Sequence, residues 1–98
     1  MLRRGAPGGC GVFALYASAA IFLVETVQYG AFAGRFVAAG RPAVHAGESL
    51  VWASLAATLF QVGYAASGRG PSARAAALIW VGPFLLAAAA FGAGYAAG

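Results

Sequence analysis

The chain has 98 residues, of which 62% are hydrophobic and only 8% are charged. Soluble domains carry roughly 25% charged residues, and a soluble fold of this composition would expose an apolar surface large enough to promote aggregation. The composition therefore argues against a water-soluble domain and favours a protein whose solvent is lipid.

The net charge of +4 includes six arginines, all of which lie outside the long apolar stretches. A nucleic-acid-binding module would instead gather its cations on one soluble surface. We therefore interpret the arginines as anchors that flank membrane-spanning segments, and we expect no nucleic-acid partner. These residues are Arg3, Arg4, Arg35, Arg41, Arg69 and Arg74.

The chain begins with a basic segment and a long apolar run. Residues 1–9 are rich in Gly and Pro, which is typical of an extended tail. Residues 10–34 carry only a few polar side chains, and about 20 residues suffice to cross the hydrocarbon core. Arg3 and Arg4 before an apolar run also fit a signal peptide, but this run is longer than a typical signal core, so we expect a retained helix.

Two further apolar segments follow. Residues 35–47 are predicted to form a loop, residues 48–66 a second span, residues 67–73 a turn, and residues 74–96 a third span. Pro83 lies within the third span and predicts a kink. The segments are long, rich in Ala and not alternating, which favours helices over barrel strands. The predicted fold is an all-α integral membrane protein, a single membrane domain of three transmembrane helices with short loops.

The arginines also indicate an orientation. With three spans, the N-terminal tail and the second loop share one side of the membrane, and that side holds four arginines. The first loop, on the other side, holds Arg35 and Arg41. We expect the N-terminus on the cytoplasmic or topologically equivalent side and the C-terminus on the opposite side.

Glu25 lies near the middle of the first span, where a charge is costly unless it is paired, protonated or in a polar cavity. Gln28 is its neighbour on the helix surface. In the second span, Ser54, Thr58 and Gln61 fall within about 60° of one another. We expect the two polar stripes to face each other, with Gln61 or Thr58 bonding Glu25. This intramembrane polar cluster has three interpretations: glue between helices, a proton- or substrate-binding carboxyl, or contact with a partner subunit or cofactor.

Small residues form a second pattern, because such residues let helix backbones approach closely. The two glycines of a GxxxG motif in the first span lie about 140–180° around the helix from Glu25. Two opposed packing faces predict that the first helix is sandwiched between its own chain and something else. The candidate packing residues are Gly30, Gly34, Gly82, Ala89 and Ala93.

The side chains that could bind a cofactor are few. His45, the only histidine, is a candidate axial ligand for haem or chlorophyll, and Gln28 and Gln61 are candidate oxygen donors to a pigment. A site with four metal ligands is not expected. The sequence contains no catalytic set of side chains, so we do not expect an enzyme.

These observations predict a small accessory subunit of a larger membrane complex of respiratory or photosynthetic type. It would stabilise assembly through helix packing and contact other membrane subunits, membrane lipid and, as an option, a pigment. The alternative is a small proton-coupled transporter acting as an oligomer. A single glutamate, Glu25, in the first span resembles the arrangement in the small multidrug resistance family, whose members have four helices where this chain has three predicted spans.

Overall fold

A computed structural model describes residues 9–68 and 72–98, which form three helices and no strand. They are α1 (Gly9–Ala38), α2 (Ala46–Ala66) and α3 (Ala73–Ala97). Each is long and apolar enough to cross a membrane. The chain is therefore an all-α, multi-pass integral membrane protein with three transmembrane helices, and the predicted fold class is confirmed.

The ends of the helices differ slightly from the predicted spans. α1 continues one turn beyond residue 34, so Arg35 lies in its last turn and not in the loop. The helix continues through Pro83 of α3, while the kink expected there stays a prediction. Most of the predicted basic tail, with Arg3 and Arg4, lies outside the described residues, as does Arg69 in the predicted turn.

α1 is the central helix, because it contacts both other helices extensively while α2 and α3 touch each other less. It runs antiparallel to α2, since Thr26 meets Ser49 near the start of α2 while the earlier residue Tyr16 meets Gly63 near its end. It runs parallel to α3, since Gly30 meets Ala87 and, one turn further along α1, Gly34 meets Gly94. The end of α1, the start of α2 and the end of α3 therefore share one side of the bundle, which we call the first-loop edge.

The interior is made of small side chains. The largest fully buried side chain in the described part is Thr26, and the buried hydrophobic residues are all alanines. Large apolar side chains such as Phe13, Val51 and Leu85 point outward. In water this arrangement would be unfavourable, but in lipid it is expected, because lipid tails solvate large apolar groups while small residues permit close backbone packing.

Candidate functional site

The polar contact between α1 and α2 is formed by two residues that the sequence patterns do not indicate. The Ser49 hydroxyl donates to the backbone carbonyl of Thr26 at 2.7 Å, and both residues are buried. The Thr26 hydroxyl donates to the carbonyl of Phe22 in its own helix, at 2.8 Å. Both hydroxyls are thus satisfied inside the bundle, where an unpaired donor would be costly.

The polar stripe of α2 does not face α1, contrary to the prediction. Ser54, Thr58 and Gln61 lie about 120–180° around the helix from Ser49, the residue that touches α1. The hydroxyls of Ser54 and Thr58 donate to carbonyls one turn earlier in α2, at 3.1 and 2.9 Å. Small and aromatic residues of α2, such as Gly63 and Trp52, pack against α1 instead. The polar stripe therefore faces away from α1.

Gln61 is also at the wrong depth to reach Glu25. It is two residues from Gly63, which packs against the Tyr16 ring. Nine residues, or about 13 Å of helix, separate Tyr16 from Glu25. The expected hydrogen bond from Gln61 or Thr58 to Glu25 is therefore not formed, and the predicted five-residue polar cluster does not converge.

Glu25 and Gln28 instead lie on the outer surface of α1 near its middle. Glu25 is half-buried and Gln28 is exposed. Within residues 9–68 and 72–98, no hydrogen bond or ion pair involves either side chain. Gln28 borders a groove whose other lining residues are all apolar, among them Val24 and Leu86. Two polar groups in the membrane span thus have no partner among the residues that the structure describes.

Gln61 holds a third unsatisfied group. Its side-chain oxygen Oε1 is buried and accepts no hydrogen bond. A buried acceptor without a donor costs free energy in an apolar environment. This oxygen is therefore an unsatisfied acceptor within the described part of the bundle.

The small-residue surface of α1 packs against α3. A Cβ added at Gly34 would overlap the carbonyl oxygen of Phe91, and one added at Gly94 would overlap that of Ala31. Gly30 lies where the three helices meet, since an added Cβ would be 3.1 Å from the Ala87 carbonyl oxygen and 3.2 Å from Ser49 Oγ. The glycine face is therefore used within the chain.

The predicted packing face of α3 is misplaced by part of a turn. Gly82 has open space around it, and Ala89 and Ala93 are exposed. The face that meets α1 carries the buried residues of α3, which are Pro83, Ala87, Ala90 and Gly94. An Ala-rich helix offers small residues on several faces, so a small-residue pattern alone does not identify the buried one.

His45 lies at the first-loop edge inside a cluster of rings. Its Nδ1 is 2.6 Å from Glu48 Oε1. The imidazole packs against Phe36, Tyr29 and Phe32, with ring centroids at 5.1, 5.6 and 6.0 Å. The carboxylate and the rings together hold the imidazole in one orientation.

The three candidate pigment ligands do not gather at one place. His45 retains Nε2 as its unoccupied ring nitrogen, because Nδ1 is engaged by Glu48. Gln61 is 16 residues further along the chain, about 24 Å away along α2. Gln28 borders the groove between α1 and α3. A haem or chlorophyll contact would therefore rest on a single ligand and stays a prediction.

No protein-family model, no curated protein and no solved structure matched this chain. Its function must therefore be inferred from its own residues.

The helix contacts that were not predicted share one feature that is visible in the sequence. Their small side chains are spaced seven residues apart. Two turns of helix take about seven residues, so this spacing keeps residues on one face. Each helix has such a row among its buried residues. The rows are Ala19, Thr26 and Ala33 in α1, Ser49, Ala56 and Gly63 in α2, and Ala87 and Gly94 in α3.

Proposed function

We propose that this protein is a small accessory subunit that stabilises a larger membrane complex by packing against other membrane proteins. The observation that carries the proposal is the position of Glu25 and Gln28, mid-span on the outer surface of α1 and without a partner in the described part of the chain. In lipid, polar groups need partners because no water is present to solvate them.

Glu25 lies deep in the span, so its need for a hydrogen-bonding partner is strong. Along α1 it is 16 residues from Gly9 and 13 from Ala38, or about 24 and 20 Å. A charged residue at the centre of a span costs about 2.5–3.5 kcal/mol even on the lenient insertion scale. A neighbouring subunit that donates hydrogen bonds to this carboxyl and to Gln28 would remove much of that cost.

The test is to purify the protein from its own membrane in mild detergent and to weigh the intact assembly by native mass spectrometry. We expect a fixed stoichiometry with other chains. Glu25→Ala combined with Gln28→Ala should dissociate the assembly, because both contact groups are removed from the outer face. Ser54→Ala is the matched control, since that hydroxyl is satisfied within α2.

A homo-oligomer containing no other chain would contradict the subunit proposal. Equal dissociation by the double variant and by Ser54→Ala would also contradict it, because the effect would then not depend on the unpaired face of α1.

The alternative is a proton-coupled transporter acting as an oligomer, favoured by the same half-buried carboxyl. A carboxyl between protein and lipid can exchange a proton as its surroundings change. Glu25→Gln keeps the shape of the side chain but cannot ionise, so it should abolish proton-linked uptake into liposomes. Unchanged uptake in Glu25→Gln, or no uptake by the unsubstituted protein, would remove this alternative.

A further inference from the structure

Two arginine side chains at the first-loop edge each lie over an aromatic ring. The guanidinium carbon of Arg35 lies 5.6 Å from the centre of the Phe32 ring, and that of Arg41 lies 4.8 Å from the centre of the Phe36 ring. Both distances are within the range of an attractive cation–π contact. Both arginines are also exposed, so their donors remain available to a ligand.

The turn after α1 explains why Arg41 reaches Phe36. Gly40 has φ +77°, a left-handed conformation that glycine adopts without strain. Its N–H donates to the Val37 carbonyl, and the Arg41 N–H donates to the Phe36 carbonyl at 2.8 Å. This is the Schellman pattern of helix ends. It folds the chain back so that Arg41 lies beside the last turn of α1.

The same rings support the His45 pair. Phe32 and Phe36, which carry the two guanidiniums, both pack against the His45 imidazole. One connected cluster therefore joins the end of α1, the loop and the start of α2. Because stacking limits the freedom of each arginine, less entropy is lost when a ligand binds than for a free arginine side chain.

No acidic side chain forms an ion pair with either of these two cations among the described residues. The chain has only two acidic side chains. Glu25 lies about 15 Å away along α1, ten residues before Arg35. Glu48 is at this edge, but its Oε1 lies 2.6 Å from His45 Nδ1, and neither guanidinium is within ion-pair distance of it in residues 9–68 and 72–98. A negatively charged group from outside is the natural partner for the two guanidiniums.

The surroundings indicate the rest of that ligand. Arginines recognise phosphate through paired N–H donors. Next to them the surface is apolar, since Phe32 and Val44 remain 41% and 59% exposed. Arg35 occupies the last turn of a transmembrane helix, the level at which lipid headgroups meet the protein. A molecule with an anionic phosphate at headgroup level and hydrocarbon chains in the membrane interior fits both the arginines and the apolar surface next to them.

We propose that Arg35 and Arg41, stacked on Phe32 and Phe36, form a binding site for the headgroup of an anionic phospholipid at the first-loop edge. The phosphate accepts hydrogen bonds from the two guanidiniums, and the acyl chains run along the exposed apolar surface below. The site is independent of Glu25 and of the partner subunit proposed above.

The experiment uses the full-length protein purified in detergent and native mass spectrometry to measure lipid binding. The probes are phosphatidylglycerol and phosphatidylcholine with identical acyl chains. We expect tighter binding of phosphatidylglycerol. Arg35→Gln combined with Arg41→Gln should weaken it about 30-fold, which corresponds to about 1 kcal/mol for each cation near the surface. Each single substitution should weaken it about fivefold.

Arg74→Gln is the matched control. Arg74 is exposed in the first turn of α3, at the opposite edge, and has no ring contact among the described residues. It should leave phosphatidylglycerol binding unchanged. Phe32→Leu combined with Phe36→Leu keeps both charges and removes the stacking, so it should give a loss smaller than that of the double arginine variant. Circular dichroism would verify that each variant keeps its helices.

Three results would overturn the proposal. One is equal binding of the two lipids by the unsubstituted protein. Another is a loss with Arg74→Gln as large as with Arg35→Gln or Arg41→Gln, which would indicate general charge attraction. The third is full displacement of the lipid by inorganic phosphate at the same concentration, which would indicate a site for a free anion without a role for the acyl chains.

Discussion

The two contact surfaces of α1 are built in different ways. Against α3, backbone meets backbone, because Gly34 and Gly94 leave no side chain between the helices. Against α2, side chains make the contact, with the Phe22 and Trp52 rings 5.0 Å apart and the Ser49 hydroxyl bonded to the Thr26 carbonyl. The first surface should therefore be sensitive to added volume, and the second to the loss of a particular group.

This difference has a physical origin in lipid. Hydrophobic burial does not drive helices together in a membrane, so association depends on close packing and on hydrogen bonds. The α1–α3 surface uses close packing, while the α1–α2 surface adds ring contacts and a hydrogen bond. Substitutions at the two surfaces can separate these contributions, since each has a control position elsewhere on the same helices.

The largest effect is expected for Gly34→Ala and Gly94→Ala. Each added methyl would overlap a backbone carbonyl oxygen of the facing helix, and backbone cannot move aside as a side chain can. We expect each variant to lower the free energy of unfolding by about 3 kcal/mol, at the upper end of overpacking costs. Titration with SDS in mixed micelles, followed by the fluorescence of Trp52 and Trp80, would measure it.

Gly92→Ala is the control for that pair, because an added Cβ there meets nothing within 4 Å. It should be neutral, or stabilising by up to about 1 kcal/mol through higher helix propensity. If Gly92→Ala were as destabilising as Gly94→Ala, the α1–α3 surface described here would be wrong.

Gly30→Ala should have an intermediate effect, a loss of about 1–2 kcal/mol. Its added methyl would be 3.1 Å from the Ala87 carbonyl oxygen and 3.2 Å from Ser49 Oγ, so neighbours on both surfaces must shift by a few tenths of an ångström. The same SDS titration applies. A loss larger than that of Gly34→Ala would contradict the view that backbone overlap dominates.

Gly63→Ala is expected to cost less, about 1 kcal/mol or below. The nearest atom to its added methyl is Tyr16 Cε1 at 2.9 Å, which belongs to a ring that can rotate away. Combining it with Tyr16→Leu should restore part of the lost stability, since the obstructing ring is gone. No such rescue would mean that the ring is not the cause.

The smallest effect is expected for Ser49→Ala, about 0.6 kcal/mol, the average for a hydrogen bond between membrane helices. The Thr26 carbonyl that accepts this bond lies within α1 and can keep its helical partner. Ser54→Ala, which removes only a bond within α2, should change the unfolding free energy still less. Equal losses for both would show that the contact between helices adds nothing.

The candidate site was only partly predictable. The cost of a mid-span charge singles out Glu25 from its position within the first apolar run, and GxxxG spacing points to Gly30 and Gly34. The stripe of Ser54, Thr58 and Gln61 misled the prediction, because Ser and Thr satisfy their hydroxyls on their own helix and need no partner across the bundle. The arginine cluster at the first-loop edge depends on a glycine turn and on ring positions that spacing does not reveal.

The sequence alone determined that three helices cross a membrane, because transfer of long uncharged segments into lipid depends on composition and length. Tertiary structure decided which faces meet. In a soluble helix the apolar side marks the interior, but here interior and exterior are both apolar, so that signal is nearly absent. Close fit between small residues selected the faces, and it left Glu25 and Gln28 on the outside of the bundle.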